Sequence, residues 1–152
     1  MRPRAIPRVL LTSLHRFSIT IDMSERSWSP VFLPSDIPLP AGAYSPAVRA
    51  GDFLYVSGQV PKDLRTGTVV GATVDAQTQQ VISNIRDVLA ASGATLHDVV
   101  SATIYLTNED DWGTVNEIWR GTFTAPFPSR TTVGARLRGI LVEISVIAYL
   151  PR

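Results

Sequence analysis

The sequence predicts a two-layer α+β domain, one mixed β-sheet with two helices on one face, and three observations carry that prediction. Residues 75–91 place Val81, Ile82, Ile85, Val88 and Leu89 on one helical stripe. Residues 111–123 do the same with Trp112, Val115, Ile118, Trp119 and Phe123. The rest divides into short runs of strand character, giving the order β-β-α-β-α-β-β.

Taken in order, Ala47–Ala50 reads as a short strand. Gly51-Asp52 supplies a two-residue hairpin turn, because glycine reaches positive φ without steric cost. Phe53–Ser57 is the returning strand, rich in aromatic and β-branched types, and Gly58-Gln59-Val60-Pro61 ends it. Lys62–Thr73 reads as a loop with a turn at Arg65-Thr66-Gly67. Asp75 is expected to cap the first helix and Gly93 to close it in the left-handed conformation. Val99–Leu106 alternates as a strand. Asp110 or Asp111 is expected to cap the second helix, which Pro126 and Pro128 stop. Strands at 130–135 and 141–149 flank a turn at Arg138-Gly139. Two helices cover one sheet face. The other is not wholly polar, and further copies of the chain would cover it.

Upstream, residues 23–40 read as an extended lead-in with one short strand near Val31-Phe32-Leu33. Residues 1–22 form a separate extension, disordered or targeting-like. They hold Arg2, Arg4, Arg8 and Arg16 but a single acid, Asp22. That composition is similar to a transit peptide. The plainer and preferred reading is a disordered tail, or a true start at Met23, with the protein cytoplasmic. Removing those five from the chain's 14 basic and 13 acidic residues leaves ten and twelve, so the body is about −2. A slightly acidic body is poor material for binding a phosphate backbone, and no nucleic-acid partner is expected. No apolar run approaches the roughly 18–20 residues that span a bilayer. There is no cysteine, so disulfides, thiolate metal sites and a cysteine nucleophile are excluded. His15 and His97 are far apart and no His/Asp/Glu cluster has ligand spacing, so no metal is expected.

Two charged residues stand out near the C-terminus. Arg130 opens one apolar strand and Glu143 interrupts another, where a charge needs a partner or a use. Arginine offers a planar fork that matches a carboxylate, and glutamate can accept a proton or orient water. Together they suggest a site for a small carboxylate whose chemistry uses water. The competing reading is a structural Arg130–Glu143 ion pair. Tyr44, between small residues and a proline, presents a ring on a loop, or else is a core aromatic. Ser57-Gly58-Gln59 at a strand end could offer backbone N–H groups to a ligand. Asn116 reads most simply as a polar-face helix residue.

The strings Gly42-Ala43-Tyr44-Ser45-Pro46-Ala47-Val48, Val56-Ser57-Gly58-Gln59-Val60-Pro61, Val115-Asn116-Glu117-Ile118, Phe127-Pro128-Ser129-Arg130-Thr131 and Leu141-Val142-Glu143-Ile144 resemble the RidA family of reactive-intermediate (imine) deaminases. The resemblance runs from about Asp36 to Tyr149. It implies a homotrimer of chorismate-mutase-like subunits with sites in the clefts between them. It implies hydrolysis of small 2-imino acids to 2-keto acids and ammonia, without a cofactor. On this resemblance Arg130 grips the substrate carboxylate and Glu143 positions the attacking water. Tyr44, Ser57, Gly58, Asn116 and Thr132 line the substrate pocket. Thr132 stands where the best-known members often have cysteine, and Trp119 where they often have tyrosine. A non-catalytic small-molecule-binding regulatory module, and an RNA-directed activity, are the alternatives.

Overall fold

The computed structural model describes residues 27–151, so expectations for residues 1–22 lie outside the described residues. The elements are β1 (Trp28–Val31), β2 (Ala47–Ala50), β3 (Phe53–Gln59), α1 (Val74–Ala90), β4 (Val99–Leu106), α2 (Trp112–Thr122), β5 (Ser129–Gly134) and β6 (Val142–Tyr149). The six strands form one sheet in the order β1-β2-β3-β6-β4-β5. β6 is antiparallel to both β3 and β4, and β4 is parallel to β5. The α+β prediction therefore holds, with the short lead-in strand joining the sheet at its N-terminal edge.

The place of that strand is the first correction. β1 lies at Trp28–Val31 rather than around Val31–Leu33, pairing antiparallel with β2. Pro30 stands opposite Val48 in it. Proline removes a ladder donor, and an edge strand can spare one. The lead-in is thus partly sheet, and Val31, Leu33 and Ile37 pack toward the core.

The helix caps are the second. Thr73, not Asp75, caps α1, its side chain accepting from the Ala76 N–H at 3.3 Å. Asp111 precedes α2 without a side-chain cap bond. Asn108 caps the single 3-10 turn before it instead, accepting from the Asp110 N–H at 3.1 Å. Gly93 does take positive φ after α1, and the Ala94 N–H returns to the Leu89 carbonyl.

The core lies between helices and sheet. Val81, Ile85, Val88 and Leu89 of α1, Val115 and Trp119 of α2 and Phe123 just after it meet Leu54, Val56, Ile104, Leu106, Val142, Ile144 and Val146. Truncating a buried Ile such as Ile144 to Ala would cost about 2–5 kcal/mol. Buried polar groups tie this core to the loops beside the site. Asn84 donates to the carbonyls of Val60 and Lys62 at 2.9 and 2.8 Å. Gln77 donates to the Gly71 carbonyl and accepts from the Leu141 N–H at 2.8 Å, fixing the start of β6.

The other sheet face carries no helix. Phe53 and Tyr55 of β3, Thr103 and Tyr105 of β4 and Glu143, Ile147 and Tyr149 of β6 point to it. Phe53 and Tyr149, cross-strand partners, stand 5.3 Å apart at their ring centroids.

Candidate active site

The residues singled out from the sequence fall into two groups on opposite sides of the sheet. The first surrounds Arg130. β5 pairs in parallel with β4, and Arg130 stands beside Ala102, Thr132 beside Ile104. Ala102 and Ile104 are buried under the helices. Side chains at one register point the same way, so Arg130 and Thr132 face the helix layer at the sheet edge. There Arg130 donates to the Asn116 side-chain oxygen at 2.9 Å. Its guanidinium carbon lies 5.6 Å from the Trp112 ring centroid and 5.5 Å from that of Trp119. Burial lowers its pKa from the usual value, yet an arginine so placed stays cationic near neutrality. Among the described residues Arg130 joins no ion pair. A cavity of about 330 Å³ opens onto it, lined by Asn116, Trp119, Arg120, Phe127 and Pro128. A second, of about 520 Å³, is lined by Trp112, Thr132 and Glu109 among others. A hollow of about 560 Å³ beside Arg86 and His97 holds none of the singled-out residues.

The second group surrounds Glu143. Its neighbours Val142 and Ile144 are buried under the helices, so Glu143 projects from the open face, opposite Tyr105. The β3–β6 register shifts between Val56 and Gln59, at Ser57-Gly58. A bulge there suits a residue without a side chain. A Cβ at Gly58 would collide with the Glu143 carboxylate, so only glycine leaves that space to the acid. Ser57 is pinned by its hydroxyl to the Ser45 carbonyl at 2.7 Å and by its N–H to the Pro46 carbonyl at 3.0 Å. Those bonds hold the loop that carries Tyr44, whose ring is 59% exposed rather than part of the core.

Arg130 and Glu143 therefore do not meet within one chain. The ion-pair reading fails for the same reason. Sequence reasoning also placed Trp112 on the apolar helix face, whereas it is 49% exposed and lies over Arg130. Its spacing from Asn116 and Trp119 was the available signal. No group of His, Cys, Asp or Glu among the described residues gathers as metal ligands, and no helix among them is long and apolar enough to cross a membrane.

Residues 35–150 match the family described as Endoribonuclease L-PSP. The chain belongs to this family, that of the Rid and RutC proteins. It is 40% identical over 121 residues to a RutC family protein of Pyrococcus horikoshii, covering 78% of this chain and 96% of that one. It is 39% identical over 115 residues to a 2-iminobutanoate/2-iminopropanoate deaminase of Dermatophagoides farinae, covering 74% and 90%. A solved structure of a Rid family protein from Yersinia pestis superposes with a TM-score of 0.75 at 38% identity, covering 81% of this chain and 99% of that one. The six-stranded mixed sheet with two helices is thus a Rid fold.

Proposed function

We propose that this Rid protein hydrolyses small 2-imino acids to 2-keto acids and ammonia, at sites formed between copies of the chain. The observation that carries the reading is Arg130. It is a partly buried cation with no acidic partner among the described residues, held by Asn116 at the mouth of a cavity. Such an arrangement suits a carboxylate ligand, which would take the place of the missing acid. Relatives named as imine deaminases support the reaction class.

The chemistry follows from charge. The carbon of a protonated imine beside a carboxylate is electrophilic. Arg130 grips the carboxylate and so fixes the face offered to water. Glu143, from the open face of a neighbouring copy, accepts the proton of that water as its oxygen bonds to the imine carbon. Glu143 passes its proton to the nitrogen of the resulting carbinolamine, and the C–N bond breaks with ammonia as the leaving group. The carbinolamine's hydroxyl proton goes to the released ammonia, so the protonated imine and water give the keto acid and ammonium. Such general-base assistance is typically worth about 10²–10⁴ in rate. Thr132 faces the same side as Arg130 and lines the second cavity, with Trp112. Tyr44, Ser57 and Gly58 line the Glu143 side, and no cofactor is required.

The half-site on each sheet face and the uncovered apolar residues both favour a homotrimer over a lone chain. A nucleolytic activity fits less well, since a body of ten basic and twelve acidic residues attracts phosphates poorly. A coupled assay tests the proposal. A pyridoxal-phosphate dehydratase generates the imine beside an amine trap, and keto-acid formation is followed with and without this protein. Acceleration of ammonia release supports hydrolysis. Ligand binding without acceleration would make the protein a binding module instead.

A further inference from the structure

We propose that Trp112 and Trp119 clamp the Arg130 guanidinium between them and act as positioning residues for carboxylate binding. The inference rests on the reading of Arg130 as the carboxylate grip. Trp112, Asn116 and Trp119 are spaced four and three residues apart on α2, so they share one face over two turns. All three reach the same guanidinium, Asn116 through a hydrogen bond and the two indoles through their rings. Both ring distances lie within the roughly 6 Å at which a ring attracts a cation.

The two indoles differ in what else they do. Trp119 is buried and stacks on Phe123 at 4.0 Å, so it serves the core as well. Trp112 stands half exposed on the first turn of α2 and belongs to no core cluster among the described residues. An exposed indole contributes little to stability by burial, and its ring contact with Arg130 gives it a role. An arginine side chain left free would sample several rotamers, and ordering it costs free energy when a ligand arrives. Rings on either side remove that cost in advance. With Asn116 holding one N–H, the remaining fork is left for a carboxylate. Trp119 also walls the cavity that opens onto Arg130, and Trp112 the one lined by Thr132.

The test uses the full chain with pyruvate as probe, titrated calorimetrically, together with steady-state imine hydrolysis. Trp112→Leu is expected to weaken pyruvate binding and raise KM by about five- to tenfold, leaving kcat and the thermal midpoint close to wild type. Trp112→Phe, which keeps a ring face, restores most of the affinity. Trp119→Phe holds affinity within about twofold, since its ring face also persists. Because Trp112 is exposed, its variants do not depend on the core. If Trp112→Leu binds pyruvate as tightly as wild type, the clamp is wrong, whatever happens to imine turnover. A lowered midpoint with unchanged affinity would likewise make the indole merely structural. Should wild type and variants show the affinity series but no ammonia release, the clamp stands and the deaminase reading falls. Wild-type protein that binds no pyruvate would remove both.

Discussion

Arg130 and Glu143 project from opposite faces of the same sheet, with β4 between their strands. Arg130 shares the helix side with Ala102, and Glu143 shares the open side with Tyr105. A ligand touching one side chain cannot touch the other in the same chain. Any reaction that needs both must borrow one from a second copy.

Arg130→Ala is expected to lower kcat/KM for imine hydrolysis by about 10²-fold or more, since each charge-assisted bond is worth about 1.5–3 kcal/mol. Arg130→Lys should recover little, because lysine keeps the charge and loses the fork. Circular dichroism and light scattering should match wild type for both. An Ala variant that retained most of its rate would remove Arg130 from the site.

Gly58→Ala separates geometry from charge. Gly58 has no positive φ, so alanine fits the backbone, but its methyl would displace the Glu143 carboxylate. We expect kcat to fall about tenfold or more with KM changed little, the pattern of a displaced base. Unchanged kcat would mean that the position of Glu143 does not matter to the reaction.

Asn84→Leu tests the support of the loop that follows Gly58. Asn84 is 1% exposed and its amide holds the Val60 and Lys62 carbonyls. Losing it leaves the Lys62 carbonyl unpaired, at about 1–3 kcal/mol, and takes one of two donors from the Val60 carbonyl, which the Lys62 N–H still reaches. Urea unfolding should show a loss of about 1–3 kcal/mol. A loss under about 0.5 kcal/mol would show that the Lys62 carbonyl finds another partner.

Light scattering on purified protein should give a particle near three times the 16.6 kDa chain. The open face, with Tyr55, Tyr105, Ile147 and Tyr149, is the surface expected to be covered. Replacing Ile147 with Asp should shift the protein toward monomer and abolish turnover together. A stable, active monomer would contradict a shared site.

Local features of the fold were legible, and non-local ones were not. Val81, Ile85, Val88 and Leu89 repeat at helical spacing, and all four are buried. Period-two counting along β6 puts Glu143 on one face with Ser145, Ile147 and Tyr149, and the alternating burial of the strand agrees. Thr73 and Asp75 are both capping residue types two positions apart, and residue type alone does not choose between them. Pro30 moves the expected lead-in strand downstream of β1, because a proline in a strand is tolerated only by edge position, which local sequence does not show. The separation of Arg130 from Glu143 depends on which strand lies beside which and in what register. Within either short string nothing encodes that. Trp112 followed the apolar stripe of α2 faithfully and was misread only because its partner, Arg130, comes from a strand eighteen positions later.

The most direct test of the shared site is complementation between two inactive chains. Arg130→Ala keeps Glu143, and Glu143→Gln keeps Arg130. Co-expressed in equal amounts with different tags and purified through both, mixed particles should regain activity. Every mixed trimer has one of its three sites with both native residues, so about a third of the wild-type rate is expected. Each variant alone should stay near background. Mixed particles no more active than either parent would contradict a site built from Arg130 of one copy and Glu143 of another.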